Sequence, residues 1–173
     1  MNVRFIGCLH LGHTNMAKWR GFQDDFYHDE HLIDSWNGTV NKRDLTFILG
    51  DITMEKANSY PLLDRLNGRK IVVLGNHDRW QDVGILLKHV DSVAGAIDYK
   101  GFMLTHVPIH PNEVVNYRGN IHAHIHHNKL QEVCVNPYKN PEVSMLSQNM
   151  YYHVDAHVIN YKPKTISELV LDA

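Results

Sequence analysis

The sequence predicts an α/β (α+β) fold in which two packed mixed β-sheets are flanked by helices. Three observations point there. Short apolar runs recur at Val3-Arg4-Phe5-Ile6, Thr46-Phe47-Ile48-Leu49, Ile71-Val72-Val73-Leu74 and Phe102-Met103-Leu104, each the length of a buried strand. A helical stretch separates the second run from the third, so residues 45–74 form a strand–helix–strand unit, and a parallel crossover is expected. Later strands are shorter and include a hairpin, so antiparallel strands follow the parallel units and imply a second sheet. A chain of 173 residues fits one domain, 1–173, with a sizeable core.

The elements follow in order. The first strand covers about Asn2 to Gly7. Thr14 is placed to cap a short helix through Arg20. Gly21 to Tyr27 reads as a loop, and a helix follows from about Asp29 to Val40, with Leu32, Ile33, Trp36 and Val40 on one face. A strand ends at Gly50-Asp51. A helix around Ser59 to Leu66 closes at Asn67-Gly68, where a left-handed cap is expected. The strand Lys70 to Leu74 delivers Gly75, and Gln81 to Lys88 is helical. Val93 to Tyr99 and Gly101 to Thr105 read as a hairpin about Lys100-Gly101. Short strands are expected near Ile121, at Leu130 to Val135 and at Tyr151 to Ala156. Thr165-Ile166-Ser167-Glu168 is a capping box that starts a last helix.

Composition narrows the function. The net charge is -2 with Lys and Arg scattered, so long nucleic acid is not the expected partner. Two cysteines, Cys8 and Cys134, make no disulfide framework and suit a reducing compartment. Arg4, His10, His13, Lys18 and Arg20 interrupt any signal-peptide core, and no stretch reaches the length of a membrane span. A cytoplasmic location is expected.

Histidine is the outlier, with 14 residues. Donor side chains stand at strand ends: Cys8-Leu9-His10, Gly50-Asp51, Gly75-Asn76-His77-Asp78, His106 and His124-Ile125-His126. Ligands on the ends of neighbouring strands converge on one sheet edge, where open α/β sheets bind ligands. In an extended strand, residues i and i+2 face the same side, so Cys8 and His10 can approach one ion together. His124 and His126 have the same spacing, to one ion or to two. Gly50 lets the backbone turn and aim the Asp51 carboxylate. Asn76 offers a neutral oxygen, and His77-Asp78 reads as an imidazole beside an orienting carboxylate. Five such places imply a metal centre and metal-assisted chemistry. His28, His89, His110, His153 and His157 read as ordinary surface or hydrogen-bonded residues.

Together these residues resemble the calcineurin-like metallophosphoesterase superfamily, in particular its compact bacteriophage and bacterial members. The family pattern of Asp-x-His, Gly-Asp, Gly-Asn-His-Asp, His and Gly-His-x-His stands here as Cys8-Leu9-His10, Gly50-Asp51, Gly75-Asn76-His77-Asp78, His106 and Ala123-His124-Ile125-His126. The likeness extends to Leu11-Gly12-His13-Thr14-Asn15, Trp36-Asn37, Leu66-Asn67-Gly68 and Tyr161-Lys162-Pro163. It implies a two-sheet sandwich and two divalent ions (manganese, iron, zinc or nickel) bridged by Asp51. His10, His126 and Cys8 would complete one ion's shell, and Asn76, His106 and His124 the other. His77 would face the phosphoryl group as general acid, with Asp78 holding its ring. The substrate implied is a small phosphate mono- or diester, nucleotides and cyclic nucleotides included. The origin implied is a bacterium or a phage-infected cell.

Two positions depart from the pattern. Cys8 stands where aspartate is usual. As a thiolate it would restore the lost charge and favour zinc or iron; as a buried core residue it would leave one ion position crippled and the protein a weakened or inactive metal-binding scaffold. Ala123 replaces glycine, a mild change if its φ is negative, and His122 beside it is expected to face outward. His13, Asn15 and Arg79 are candidates for substrate contact; alternatively His13 and Asn15 cap the helix near Thr14, and Arg79 pairs with a surface acid. Trp19 and Trp36 are expected in the core. The loop with Phe22, Phe26 and Tyr27 either walls the site or packs on the sheet.

Overall fold

The computed structural model describes residues 1–128, 130 and 150–171. Among these residues, eight strands form two four-stranded sheets with helices outside, as the apolar runs predict. Sheet one is β1 (Val3–Ile6), β2 (Leu45–Leu49), β3 (Arg69–Val73) and β4 (Ser92–Ala94), all parallel and in sequence order. Sheet two is β5 (Ile97–Tyr99), β6 (Phe102–Leu104), β7 (Gly119–His122) and β8 (Tyr151–His153). Only β5 and β6 pair antiparallel; β6–β7 and β7–β8 are parallel. The second sheet is therefore more parallel than expected. Strand length alone does not reveal the direction of pairing.

The predicted strand Val93 to Tyr99 is two strands in different sheets, broken at Gly95-Ala96. Glycine weakens a strand interior and permits the bend. The Lys100-Gly101 turn is as expected: both residues have positive φ, 54° and 80°, and Tyr99 lies opposite Phe102.

The helices shift more than the strands. α1 spans Thr14–Trp19, and its cap is His13, whose Nδ1 accepts from the Met16 amide, rather than Thr14. α2 spans Asp25–Asn37 and begins four residues early, capped by Asp24. Its first turn exposes Phe26 and Tyr27, so no apolar stripe marks it in the sequence. The segment Ala57–Arg65 is a 3-10 helix containing Pro61, which lacks the amide an α-helix would use there. Trp80–Asp82 is a short 3-10 turn leading into α3 (Val83–Leu86). α4 is Pro111–Val114 and α5 is Ile166–Leu171. Before α5, Thr165 and Glu168 form the reciprocal capping box. The strand expected at Leu130 to Val135 lies outside the described residues, apart from Leu130, as does Cys134.

One core joins the sheets. Phe5 stacks on Phe47 at 5.6 Å, and Tyr99 of sheet two packs on both rings. Trp36 is fully buried, and its indole donates to the Asn67 carbonyl, while Asn37 accepts from the Asn67 amide and donates to the Arg65 carbonyl. Trp36-Asn37 thus clamps the turn that launches β3. No helix among the described residues is long and apolar enough to cross a membrane.

Candidate metal centre

The carboxyl ends of β1, β2, β3, β6 and β7 bring the expected donors to one edge. His106 is held by its Nδ1, which lies 2.8 Å from the Leu49 carbonyl. A carbonyl only accepts, so Nδ1 carries the proton, and in the neutral ring Nε2 presents a lone pair. That Nε2 lies 2.9 Å from Asn76 Oδ1, 3.1 Å from His124 Nδ1 and 3.3 Å from Asp51 Oδ2. Donors around one cation with bonds of about 2.0–2.1 Å stand roughly 3.3 Å apart. The spacing is that of a ligand shell.

A second group lies beside it. The donor atoms of Cys8, His10 and His126 are all within 4.8 Å of one another, and those of Cys8, Asp51 and His106 likewise. Asp51 Oδ2 is also 3.8 Å from His10 Nε2, so one carboxylate oxygen stands between the two groups. His10 is 1% exposed, and neither ring nitrogen has a hydrogen-bond partner. Buried polar atoms are normally satisfied. Buried Cys, His and Asp groups here are therefore able to bind a metal ion. The Cys8 sulfur points into this cluster and accepts from the His124 amide at 3.2 Å.

The backbone that carries these donors is strained. Cys8, His10, Asp51, His124 and His126 all have positive φ, from 51° to 73°. Such conformations cost about 1–3 kcal/mol each and cluster at functional sites. The extended geometry expected to align Cys8 with His10 is absent; two left-handed turns do that work. Amides of Cys8, His10 and Leu11 donate to carbonyls of Gly50, Asp51 and Ile52, so the loops after β1 and β2 stay paired. Gly50 and Gly75 allow close approach: a Cβ on Gly75 would meet Asp51 Oδ1 at 2.3 Å, and one on Gly50 would meet His106 Nδ1 at 2.5 Å.

Several residues take other places than expected. Asp78 does not hold the His77 ring. Its Oδ2 accepts from the amides of Asp51 (2.7 Å) and Gly75 (2.8 Å), and its Oδ1 from Ile52 (3.0 Å). It stitches the β2 and β3 loops together. The carboxylate near His77 belongs to Glu55, 3.8 Å from Nδ1, and the His77 amide donates to Asp51 Oδ1. Of the two readings open for each, His13 caps the helix, half-buried beside His10, and Arg79 pairs with an acid, although Asp82 is buried rather than on the surface. Asn15 is exposed on α1. His122 faces inward: it is fully buried and stacked on His153 at 5.2 Å, because both lie on paired inner positions of β7 and β8. Trp19 is half-exposed on the rim, its ring against His126, His127 and His157. Phe22 packs on His28, His31 and Tyr161.

Residues that sequence reasoning overlooked support the same edge. Arg20 donates to the Cys8 carbonyl at 2.7 Å and the Leu9 carbonyl at 3.2 Å, and meets His28 Nε2 at 2.9 Å. His28 Nδ1 meets Asp29, whose other oxygen accepts from the Gly12 amide. This chain of partners locks the left-handed 8–12 loop. Asp155 is fully buried beside Cys8 and the His126 ring. It follows β8, but Tyr151-Tyr152-His153 is a half-buried segment with a histidine in it, so the apolar-run signal used for the other donors does not mark it.

Electrostatics favour metal-ready forms of the imidazoles. Burial pushes the His10 ring down to about 3 and lowers those of His124 and His126. Neutral imidazole is the ligating form. Burial raises the Cys8 thiol well above its ordinary range, and Asp155 and Asp51 add to this, so a bound cation is what would make it a thiolate. Burial opposes ionisation of Asp51, but the hydrogen bond and charge of His106 outweigh it and hold the carboxyl low.

These shifts give a pH dependence for the metal-free protein. Burial holds His10 at about 3 and His122 and His157 at about 4, against about 6.5 unfolded. Above 6.5 these rings are neutral in both states. Below it the unfolded chain takes up protons that the folded chain refuses until about 3–4, so stability falls with acid across that window. His106, raised by Asp51 against its own burial, works the other way, but it is one ring against six that are lowered. The expected result is a urea midpoint lower at about pH 5.5 than at about pH 7.5; a higher one contradicts the burial of these rings.

No protein-family model matches the chain. Over 176 aligned residues it is 31% identical to the uncharacterized protein MJ1445 of Methanocaldococcus jannaschii, covering 97% of this chain and 89% of that protein. It is 40% identical over 82 residues to the gene 66 protein of Mycobacterium phage D29, and 37% over 82 residues to that of phage L5. The chain spans only 41% and 40% of those phage proteins. The crystal structure of a protein of unknown function, AQ665 from Aquifex aeolicus, superposes with a TM-score of 0.69 at 21% identity and covers 99% of both chains, a likeness of fold.

Proposed function

We propose that this chain, which belongs to the family of the Methanocaldococcus jannaschii protein MJ1445, is a dinuclear-metal-dependent hydrolase of small phosphate esters. One observation carries the reading: Asn76 Oδ1, His124 Nδ1 and Asp51 Oδ2 all converge on His106 Nε2 at 2.9–3.3 Å, more acceptor atoms than the single proton that Nε2 can carry would satisfy. A second set, Cys8, His10 and His126, stands across the same Asp51 oxygen. The motif resemblance supports the same chemistry.

Bound there, divalent cations would supply Lewis acidity to phosphoryl oxygens and would lower the pKa of a bound water. The chain's residues do the rest. Asp51 presents one oxygen to both groups and keeps the other on the His77 amide. That amide fixes the His77 backbone at the mouth, and its half-buried ring stands 6.2 Å from that of His10. From there His77 donates a proton to the leaving oxygen, a role typically worth about 10²–10⁴-fold in rate. Glu55 is placed to steady the imidazolium. Lys and Arg are scattered along the sequence with a net charge of -2, which suits a small phosphorylated substrate rather than long nucleic acid.

The test is hydrolysis of bis-p-nitrophenyl phosphate by protein stripped of metal and reloaded with manganese, iron, zinc or nickel. Turnover that returns with metal is expected. The Cys8→Asp variant should stay active and shift its preference from zinc towards manganese, since a hard oxygen replaces a soft sulfur. A fully loaded protein that hydrolyses neither mono- nor diesters would establish the inactive scaffold instead.

A further inference from the structure

Asp155-Ala156-His157 repeats, in a different part of the chain, the spacing of Cys8-Leu9-His10 with the carboxylate that Cys8 lacks. The two segments run side by side. Gly7 pairs with Asp155 in a parallel bridge, the Gly7 amide donating to the Val154 carbonyl and the Ala156 amide to the Gly7 carbonyl. The donor atoms of His126, Asp155 and His157 lie within 4.8 Å of one another. Asp155 is 0% exposed, yet neither carboxylate oxygen makes a hydrogen bond. Both ring nitrogens of His157 and Nδ1 of His126 are likewise buried without a partner. An isolated buried carboxylate is costly, and such groups are paired or coordinate metal. Its neighbours are the Cys8 thiol and two imidazoles, His126 Nδ1 at 3.5 Å and His153 Nε2 at 3.1 Å from Oδ2, neither ring in hydrogen-bond geometry.

We propose that His126, Asp155 and His157 form a third cation site beside the proposed pair. Two imidazoles and one carboxylate suit a first-row divalent ion such as zinc, with positions left for water. His126 is shared. Its Nδ1 faces Asp155, and the same residue belongs to the Cys8–His10 group, so the ring is placed between two ions. Trp19 packs its ring on His126 and His157 and shields this side from solvent. The Arg20 guanidinium, the nearby cation that would oppose a metal, is engaged with the Cys8 and Leu9 carbonyls. This inference extends the two-cation reading, and its test separates the two.

Zinc is the probe, counted by equilibrium titration against a chromophoric chelator and by elemental analysis, on the whole chain. Asp155→Asn keeps the side-chain shape and removes the charge; His157→Ala removes a ligand near the surface; Asn76→Ala cuts only the Asn76–His106–His124 group. The expected result is three bound zinc ions in the native protein and two in each of Asp155→Asn and His157→Ala, with their thermal melts in the metal-free form close to the native one. A native protein that binds a single zinc, lost in Asp155→Asn and His157→Ala but kept in Asn76→Ala, also supports the site and refutes the pair. Two zinc ions in the native protein and in both variants overturn the site and leave the pair intact, with Asp155 merely orienting His126. A protein that binds no zinc overturns both.

Discussion

Replacing His77 with alanine is expected to lower turnover by about 10²–10⁴-fold while metal content stays at the native level. The ring makes no contact that holds a donor; the residue's link to the centre is its backbone amide on Asp51 Oδ1, and alanine keeps that amide. The variant therefore isolates proton transfer from metal binding. The deficit should also depend on the leaving group. An ester whose oxygen departs readily as an anion, such as p-nitrophenolate, needs little help from an acid, whereas an alkyl or ribose oxygen needs much. The measurement is steady-state hydrolysis of both ester types with metal analysis of the same samples. Native-like turnover on the alkyl ester refutes the acid role.

Replacing Asp78 with alanine is expected to destabilise the fold by about 3–5 kcal/mol. Three amides, those of Asp51, Ile52 and Gly75, lose their acceptor at once inside a buried turn. Burial raises the Asp78 carboxyl, and Asp51 nearby adds to this; the three amides counter that push, so they and the carboxylate depend on each other. The same change releases the loop that aims Asp51, so metal affinity should fall with stability. Asp78→Asn, which retains one acceptor oxygen, should lie between. Urea unfolding of the metal-free protein measures the first effect and zinc titration the second. A midpoint shift worth less than about 1 kcal/mol would mean that the three hydrogen bonds do not hold the loop together.

Much of the edge was legible because the signal is local. A strand of four or five apolar residues must end, and a donor just past its end has one edge to occupy. That rule placed Asp51, Asn76, His106, His124 and His126 among neighbouring donors without reference to their partners. Asp155 escapes the rule, because the segment before it, Tyr151-Tyr152-His153, is not an apolar run, and His153 and His157 carry no local mark of a site. Helix starts were less legible. His13 caps α1 through a ring nitrogen, and α2 opens on exposed aromatic residues, so neither shows the usual pattern.

The roles of single residues were least legible. His77-Asp78 reads as a ring and its orienting acid, but adjacent side chains in a tight turn diverge, and Asp78 turns back to the amides behind it. Cys8 was open between core and site; the φ of 51° that swings its sulfur towards His10 and His126 follows from pairing with the β2 loop and from Arg20 gripping its carbonyl.

By itself, then, the order of residues determined which donors meet and on which edge, because burial of apolar strands and their ends is a nearest-neighbour property. Only the tertiary structure decided that Asp155 lies beside Cys8, that Asp78 is a backbone clamp and that His122 faces inward. Those outcomes depend on which strands become neighbours, and segments far apart in the chain carry no local mark of the partner that folding will bring them.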